Sequence, residues 1–484
     1  MIIVSITGPG MKDALGQIAA SSQYADMFEL RLDMIQEPPL GMLMAATGKP
    51  IIATCRPDWE GGEFRGTESE RAEILHAAAE LGAAYVDIEL NADAGIIRRL
   101  HGDGRRLILS YHHNGKGKLD IARMYRRMKS PHAHVLKLAY TAEDCADIKY
   151  AFEFLQLAKQ DKQRAIAIAM GEFGEPTRIL YKKFGGWATY ASAGIGLSAA
   201  AGQIPAAELR ELYRSERISG KTKVFGVVGN PLKQSKGIYL HNPLYQKAKK
   251  DAVYCRFQVR DLNSYMKRVA PVLNGFSVTI PHKQSIIKYL DRIDPTAKAI
   301  GAVNTVMRKA GRLYGTNTDA PGALDAIENV LKVKGKSMLI AGAGGAARAI
   351  AYEAKQRGAK IFLTNRTEST GRKLATEFNV DFVSKTELLR AARKGVRYDI
   401  IVNATSVGMT PHVNASPLPK SILKKAIVFD AVYNPPMTKL LRDAKNAGAM
   451  IVQGTEMYFN QAALQFELYA GVKPGISTMR KILS

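Results

Sequence analysis

The sequence predicts an α/β chain in two parts, a (β/α)8 barrel followed by a second strand–helix series that ends in a doubly wound sheet. Three observations predict it. Short apolar, β-rich runs recur through the first half with helix-compatible segments between them. A polar, basic, glycine-broken stretch follows, and beyond it a strand leads through a glycine turn straight into a helix.

The runs are Ile2–Thr7, Met27–Asp33, Pro50–Arg56, Tyr85–Leu90, Arg106–His112, Val135–Tyr140, Ala165–Met170 and Trp187–Ser192. Segments such as Ser69–Leu81 and Glu143–Lys159 separate them. Strands that alternate with helices pair in parallel, and eight of them within about 200 residues suit a closed barrel better than an open sheet. Polar residues gather at the last positions of the runs: Glu29 and Arg31, Arg56, Glu89, His112 and Lys137. In a barrel those positions share one rim, where active sites are built. The longest uncharged stretch, Phe184–Ala207, is mostly Gly, Ala and Ser and reads as core strand plus loop, not as a membrane span.

Tyr213–Lys223, YRSERISGKTK, reads as a linker, and Val224–Val228 opens the second series. From Lys336 the pattern sharpens into KSMLIAGAGGAARAIAYEAKQRG, then KIFLTNRT and YDIIVNAT. Gly342, Gly344 and Ala347 form a GxGxxA turn, with Ala343, Gly345 and Ala346 between them, where backbone can approach a pyrophosphate at a helix N-terminus. About 20 residues on, an NAD-binding chain places an acid against the ribose. Here the place reads Asn365-Arg366-Thr367, and an arginine suits a 2′-phosphate, so the cofactor reads as NADP(H).

Composition narrows the classes. A chain of 484 residues, 46% hydrophobic and 23% charged, is globular and long enough for two or three domains. Three cysteines without CxxC spacing exclude a disulfide scaffold and a cysteine-rich zinc site, and fit a reducing cytosol. The N-terminus shows no basic region ahead of an apolar run, so a cytoplasmic protein with no signal peptide is expected. Residues 1–219 carry 27 basic and 27 acidic side chains, while the remaining 42 and 17 put the whole net charge of +25 in the second part. That part is expected to bind an anion. The basic residues are scattered rather than interleaved with aromatics, so nucleic acid is not the expected partner. His112 and His113 are adjacent, which puts them on opposite faces of a strand, and no metal site is expected.

Seven motifs of the second part, GNPLKQSK (229–236), FSVTIPHK (276–283), GAVNT (301–305), GTNTD (315–319), NATSVGM (403–409), DAVYNP (430–435) and GTEMYFNQAALQFELYAG (454–471), resemble shikimate dehydrogenase along its full length. The resemblance implies a substrate lobe at 222–320, completed by 455–484, and an NADP-binding Rossmann lobe at 321–454. It makes Lys283 and Asp319 the catalytic pair. It assigns Ser235, Thr279, Asn304, Tyr433 and Gln461 to the substrate, and Thr405 and Gly454 to the cofactor. Ketone reduction needs a proton on the incipient alkoxide, which a lysine beside an aspartate can deliver. In two places this chain departs from the family pattern. Gly237 stands where a second serine hydroxyl is usual, leaving room for the extra hydroxyl of quinate, and Ser277 stands where asparagine is frequent.

In the first part, FELRLD (28–33), TCRPDWEGG (54–62), YVDIEL (85–90), LSYHH (109–113), HVLKLAY (134–140) and AMGEFGEPTRIL (169–180) resemble type I 3-dehydroquinate dehydratase, a (β/α)8 barrel, over residues 1–215. The resemblance implies a Schiff base on Lys137, proton transfer by His112, and Glu89 orienting and tuning His112. Arg31, Arg56 and Arg178 then meet the carboxylate and hydroxyls, with Ser5, Glu29 and Gln203 as further substrate contacts. The closing loop reads Ala199-Ala200-Ala201-Gly202-Gln203, without the family's serine unless Ser198 replaces it. Together the two resemblances imply one chain that converts 3-dehydroquinate to 3-dehydroshikimate and then, with NADPH, to shikimate. Quinate oxidation beside an idle barrel, or a non-catalytic metabolite sensor, are the alternatives.

Overall fold

The computed structural model describes residues 1–36, 40–113, 115 and 117–483. Its contacts divide the chain into two units, Met1–Leu232 with Asp251–Leu273, and Lys233–Lys250 with Asn274–Ser484.

The first unit holds the barrel. Its strands are β1 (Ile2–Ile6), β2 (Met27–Arg31), β3 (Ile51–Thr54), β4 (Tyr85–Glu89), β5 (Leu107–His113), β6 (Ala133–Thr141), β7 (Arg164–Met170) and β8 (Thr189–Ser192). They run in parallel in the order β7-β6-β5-β4-β3-β2-β1-β8. The backbone N–H of Trp187 donates to Ala165 O at 2.8 Å, which nearly closes the seam between β8 and β7. All eight runs read from the sequence are strands, and the fold class stands as expected.

Inside the barrel, side chains at i and i+2 share a face, and this periodicity builds the site. Ile3, Met27, Ile52, Tyr85, Ile108 and Val135 fill an apolar floor. Two residues further along the same strands stand Ser5, Glu29, Thr54, Asp87, Ser110 and Lys137, every one buried. A polar layer on a dry floor must satisfy its own hydrogen bonds, and it does so through ion pairs that cross the barrel.

The stretch expected to be a linker is tied down. Lys182 Nζ donates to Glu216 O at 2.6 Å and Lys183 Nζ to Gly220 O and Thr222 O at 3.0 and 2.8 Å. Beyond it, β9 (Lys223–Gly229) and β10 (Ala252–Gln258) pair in parallel, and the helix Leu262–Arg268 follows.

In the second unit, β11 (Gly275–Val278) and β13 (Thr305–Lys309) are antiparallel, as are β13 and β14 (Arg312–Thr316), and β12 (Arg292–Ile293) runs parallel to β14. The helices Asp319–Glu328 and Gly454–Ala470 meet at Gly322, where a Cβ would come within 2.9 Å of Gln461. The remaining strands, β15 (Ser337–Ala341), β16 (Lys360–Thr364), β17 (Asp381–Phe382), β18 (Ile400–Asn403), β19 (Ile427–Asp430) and β20 (Met450–Val452), form a parallel sheet ordered β17-β16-β15-β18-β19-β20. That is the doubly wound Rossmann order. Met338 and Ile340 enter one core and Leu339 and Ala341 the other, so helices cover both faces. Among the described residues no helix is long and apolar enough to cross a membrane.

Candidate active sites

Lys137 sits in the polar layer of the barrel with its ammonium 2.8 Å from Asp87 and 3.4 Å from Glu29, above the Tyr190 ring at 4.3 Å. It opens into a cavity of about 220 Å³ lined also by Ser5, Arg56, His112, Arg178 and Gln203. The structure therefore brings the first part's expected residues together, Glu89 excepted. Ser5 Oγ donates to Glu29 at 2.7 Å and receives Gln203 Nε2 at 3.3 Å. Gln203 also accepts the Ala199 N–H at 2.8 Å, folding the closing loop over the cavity. Ser198 is exposed and does not line the cavity, so the missing hydroxyl is not replaced.

Glu89 does not reach His112. In register it lies opposite Ser110, two residues short of His112 and so about 6.6 Å deeper at ~3.3 Å per residue. Its carboxylate is held instead by Arg56 at 2.6 Å and Arg71 at 2.5 Å. The partner of His112 is Glu60, whose Oε2 stands 2.8 Å from Nδ1 and accepts the His112 backbone N–H at 3.2 Å. Glu60 comes from the Asp58–Glu60 turn after β3. Gly62 lets that turn fold back, because a Cβ there would lie 2.0 Å from Arg56 O. Sequence reasoning looked at strand ends and passed over Glu60, although it lies inside the quoted TCRPDWEGG motif. It passed over Asp87 too, which lies inside YVDIEL.

The charges sort the three arginines. Arg31 is clamped by Asp33 at 2.9 and 2.6 Å. Arg56 is pinned by Asp87 at 2.9 Å and Glu89 at 2.6 Å and donates to Ser110 Oγ at 2.8 Å. Arg178 is different. It is 1% exposed, bonded only to the carbonyls of Tyr190 (3.2 Å) and Ala201 (3.4 Å), and its Nε has no partner among the described residues. Burial pushes its guanidinium down to about 10. A buried cation without a carboxylate is the place for an anionic ligand group.

Burial pushes Glu60 up to about 7 against the pull of Arg56, and burial holds His112 well below its usual range, with Arg56 and Lys137 adding to it. The pair therefore keeps the imidazole unprotonated near neutrality, the form that can take a proton. As pH falls through about 7 Glu60 gains a proton and His112 loses its anionic partner, so kcat/KM for turnover at this site is expected to decline below that pH. Glu60→Gln is expected to lower kcat by about 10²-fold and to remove this acidic limb. Glu89→Gln should keep the limb and instead destabilise the fold by about 3 kcal/mol, since it breaks a buried ion pair. A pH–rate profile and a urea titration on both variants check this. A limb that survives Glu60→Gln and vanishes in Glu89→Gln would reverse the assignment.

In the second unit, Lys283 Nζ lies 2.5 Å from Asp319 Oδ2. Asp319 opens the helix Asp319–Glu328, its N–H held by Asn317 at 3.0 Å. Asn304 is 2% exposed; its Nδ2 donates to Thr318 Oγ1 at 3.0 Å, and its Oδ1 accepts the Thr318 N–H and the Thr305 hydroxyl at 2.8 Å. Gln465, which the sequence reading did not single out, bonds Thr305 Oγ1 at 3.0 Å and Ser277 at 3.0 Å. Ser277 is thus engaged by the helix Gly454–Ala470. Thr279 and Tyr433 are half-buried, as are Ser235 and Gln461, while Gly237 is buried and opens the helix Gly237–Lys247.

The glycine turn fits a dinucleotide. Gly342 takes φ +123° and a Cβ there would press to 3.0 Å on Ala404 O, beside the point where strand order reverses between β15 and β18. Gly344 precedes the helix Gly345–Gln356 with no side-chain cap, leaving the first N–H groups for a phosphate. A Cβ on Gly345 would lie 3.3 Å from Lys283 Cδ, so this turn reaches the Lys283–Asp319 pair. Asn365 Nδ2 closes the next turn on Thr367 O at 2.9 Å, and Arg366 beside it is exposed with no ion pair among the described residues. Thr405 and Asn403 brace each other at 2.7 Å, and Gly454 packs against Val432 O and Asp430 O.

The barrel joins a buried lysine to a histidine–carboxylate pair, and the second unit joins a Rossmann turn to a lysine–aspartate pair. These define a lyase and a dinucleotide-dependent oxidoreductase on one chain. The type I 3-dehydroquinase family matches residues 2–219, the shikimate dehydrogenase substrate binding domain 227–306, and the shikimate/quinate 5-dehydrogenase family 325–432. A bifunctional 3-dehydroquinate dehydratase/shikimate dehydrogenase of Arabidopsis thaliana, named as chloroplastic, is 36% identical over 499 residues, covering 96% of this chain and 82% of its own. The NADP(+) shikimate dehydrogenase of Shouchella clausii is 39% identical, over 54% of this chain and 98% of its own. The crystal structure of Aquifex aeolicus shikimate dehydrogenase superposes with a TM-score of 0.51 at 36% identity, over 54% of this chain and 98% of that one. A Listeria monocytogenes shikimate 5-dehydrogenase bound to shikimate and NAD gives 0.51 at 32%, over 55% and 98%. The chain belongs to the bifunctional 3-dehydroquinate dehydratase/shikimate dehydrogenase family. Matches to both activities do not favour an idle barrel or a sensor.

Proposed function

We propose that residues 1–215 dehydrate 3-dehydroquinate through a Schiff base on Lys137, and that the product is reduced to shikimate with NADPH by lobes at 222–320 plus 455–484 and 321–454. The observation that carries this is the single barrel cavity shared by Lys137, the Glu60–His112 pair and Arg178. Arg178 anchors the substrate carboxylate. Lys137 attacks the ketone and water leaves, giving an iminium that can accept the electrons of the adjacent C–H bond. His112 takes that proton and returns it to the departing hydroxyl, while Glu60 holds the ring by Nδ1 and balances the imidazolium formed in between. Gln203 and Ser5 orient the hydroxyls. Hydrolysis of the product iminium restores Lys137.

In the dehydrogenase, Gly342–Ala346, Thr405 and Gly454 hold the dinucleotide, and Arg366 with Asn365 and Thr367 meets the ribose end. When bound, NADPH supplies the hydride. Ser235, Thr279, Asn304, Tyr433 and Gln461 orient the ring, and Lys283 gives its proton to the alkoxide with Asp319 beside it. Three buried free thiols suit a reducing compartment, and we place the protein in the cytoplasm.

Mixing the protein with 3-dehydroquinate and NADPH alone tests the whole sequence. Steady NADPH oxidation is expected, and none with either 3-dehydroquinate or 3-dehydroshikimate would sink the bifunctional reading. Arg366→Ala is expected to raise KM for NADPH by about 10–100-fold, the worth of one charge-assisted phosphate bond, and to leave KM for NADH unchanged. Equal changes for both cofactors would remove Arg366 from the 2′-phosphate.

A further inference from the structure

Arg178 lies on the short helix Glu175–Leu180, which faces two different parts of the chain. Near its C-terminal end Arg178 enters the dehydratase cavity. At its first residue the Glu175 carboxylate accepts Arg256 Nε and the Tyr213 hydroxyl, both at 3.1 Å. Arg256 stands on β10, inside the stretch matched by the shikimate dehydrogenase substrate binding domain. Its Nη2 is also 3.9 Å from Glu208. Just beyond β10, the Arg260 guanidinium lies 4.4 Å over the ring of Phe173, in the turn that leads into the helix. The Arg260 backbone N–H donates to Asp144 at 2.7 Å. Phe173 and Glu175 are thus held by two side chains, Arg260 and Arg256, that belong to the dehydrogenase sequence.

We propose that Arg256, acting through Glu175, is a positioning residue for the dehydratase, so that the dehydrogenase half sets the place of the substrate's carboxylate anchor. The proposal rests on reading Arg178 as that anchor. A helix of six residues has little stability of its own and takes its position from what it packs against. Arg178 has no carboxylate to fix it, only two carbonyls at 3.2 and 3.4 Å, so its guanidinium goes where the helix backbone goes. Misplacement of a binding group by about 1 Å is enough to cost an order of magnitude or more. Fusion then has a consequence distinct from passing an intermediate: one site is completed by the partner domain's sequence.

The test uses the full-length chain and reads both activities in each variant. Arg256→Ala is expected to raise KM for 3-dehydroquinate about tenfold with kcat within twofold. Arg256→Lys, which keeps a charged donor to Glu175, is expected to recover most of that loss. The dehydrogenase constants of the same samples should stay within twofold of the parent, which also shows that the variants are folded. In an Arg178→Ala background, adding Arg256→Ala should raise KM no further, because the anchor it positions is already gone. An unchanged KM in Arg256→Ala overturns the proposal, and so does an equal, additive loss in the Arg178→Ala background. Should Arg256→Ala lose both activities through misfolding, Glu175→Gln decides, since it keeps the shape and removes the charge: an unchanged KM there overturns the proposal. Arg178→Ala alone tests the anchor separately. If it leaves KM for 3-dehydroquinate unchanged, the anchor reading fails, whatever Arg256 does.

Discussion

Lys137→Ala is expected to abolish 3-dehydroquinate turnover, by at least about 10⁴-fold, because it removes the proposed covalent route rather than one contact on it. Reduction of added 3-dehydroshikimate by the same protein should proceed at the parental rate, since the Lys283–Asp319 pair lies in the other unit. Borohydride added during turnover should fix one substrate-derived adduct on the peptide containing Lys137, and none in the variant. The substitution also has a cost in stability. Burial alone would push Asp87 up, but Arg56 and Lys137 outweigh it and hold the carboxyl well below the usual carboxylate range. A carboxyl depressed in this way adds stability above its unfolded pKa, and that stability is lost as pH falls towards the folded value. Without Lys137 the depression shrinks. Arg56 at 2.9 Å and Ser110 at 2.6 Å still hold Asp87, so the variant should remain folded at neutral pH and unfold at a higher pH on acid titration than the parent. A dehydratase that survives Lys137→Ala within tenfold, or an adduct that persists, would end the Schiff-base reading. Loss of both activities together would mean misfolding, and Lys137→Met, which keeps the apolar stem over Tyr190, then separates chemistry from stability.

The eight barrel strands were legible because their signal is local: each is a short apolar run bounded by turn residues, and burial on both faces of a parallel barrel demands that pattern. Glu29 and Lys137 stood out as polar residues at the ends of these runs, the positions that share a rim in a barrel. Depth was not legible. Glu89 and His112 both stand near strand ends, yet neighbouring strands are staggered in a barrel, and only the register shows that Glu89 pairs in height with Ser110. Glu60 was missed for another reason. It belongs to a turn, and nothing in the periodicity of a strand tells where a glycine-rich turn will fold back; the signal available was the pair Gly61-Gly62, which marks a close backbone approach. Asn403 and Asp430 were quoted within motifs without a part to play. In the structure they join the ends of β18 and β19, with Asn403 Nδ2 donating to Asp430 at 2.9 Å and burial raising that carboxyl to about 6. Arg256 lay in no motif, since its role depends on which barrel helix comes to lie against β10.

Lys283→Ala and Asp319→Asn are each expected to lower the dehydrogenase kcat by about 10²–10⁴-fold, the range of general acid catalysis, with 3-dehydroquinate dehydration untouched. The two groups are 2.5 Å apart and in the proposed mechanism act on one proton, so the double variant should be little worse than the slower single one. Their effects on binding should differ. Asp319 is 6% exposed at the start of a helix whose neighbour Asn304 is committed to Thr318, so Asp319→Asn disturbs the packed side of the site and should raise KM for 3-dehydroshikimate. Lys283 is the more exposed partner and stands against Gly345, where a Cβ would lie 3.3 Å from its Cδ. Truncating it empties that space without touching the backbone, so KM for NADPH should change by less than about threefold while kcat collapses, because the lost interaction is made in the transition state and not in binding. Gly345→Ala probes the same contact from the other side. A Cβ there presses on Lys283 Cδ, which a flexible side chain can yield by a few tenths of an ångström, and the shift moves the ammonium from Asp319. A tenfold fall in kcat is expected, with NADPH still bound. Steady-state constants for the four variants, measured in both directions, decide the matter. If Lys283→Ala raises KM and spares kcat, the lysine is a substrate contact, and the proton must come from elsewhere.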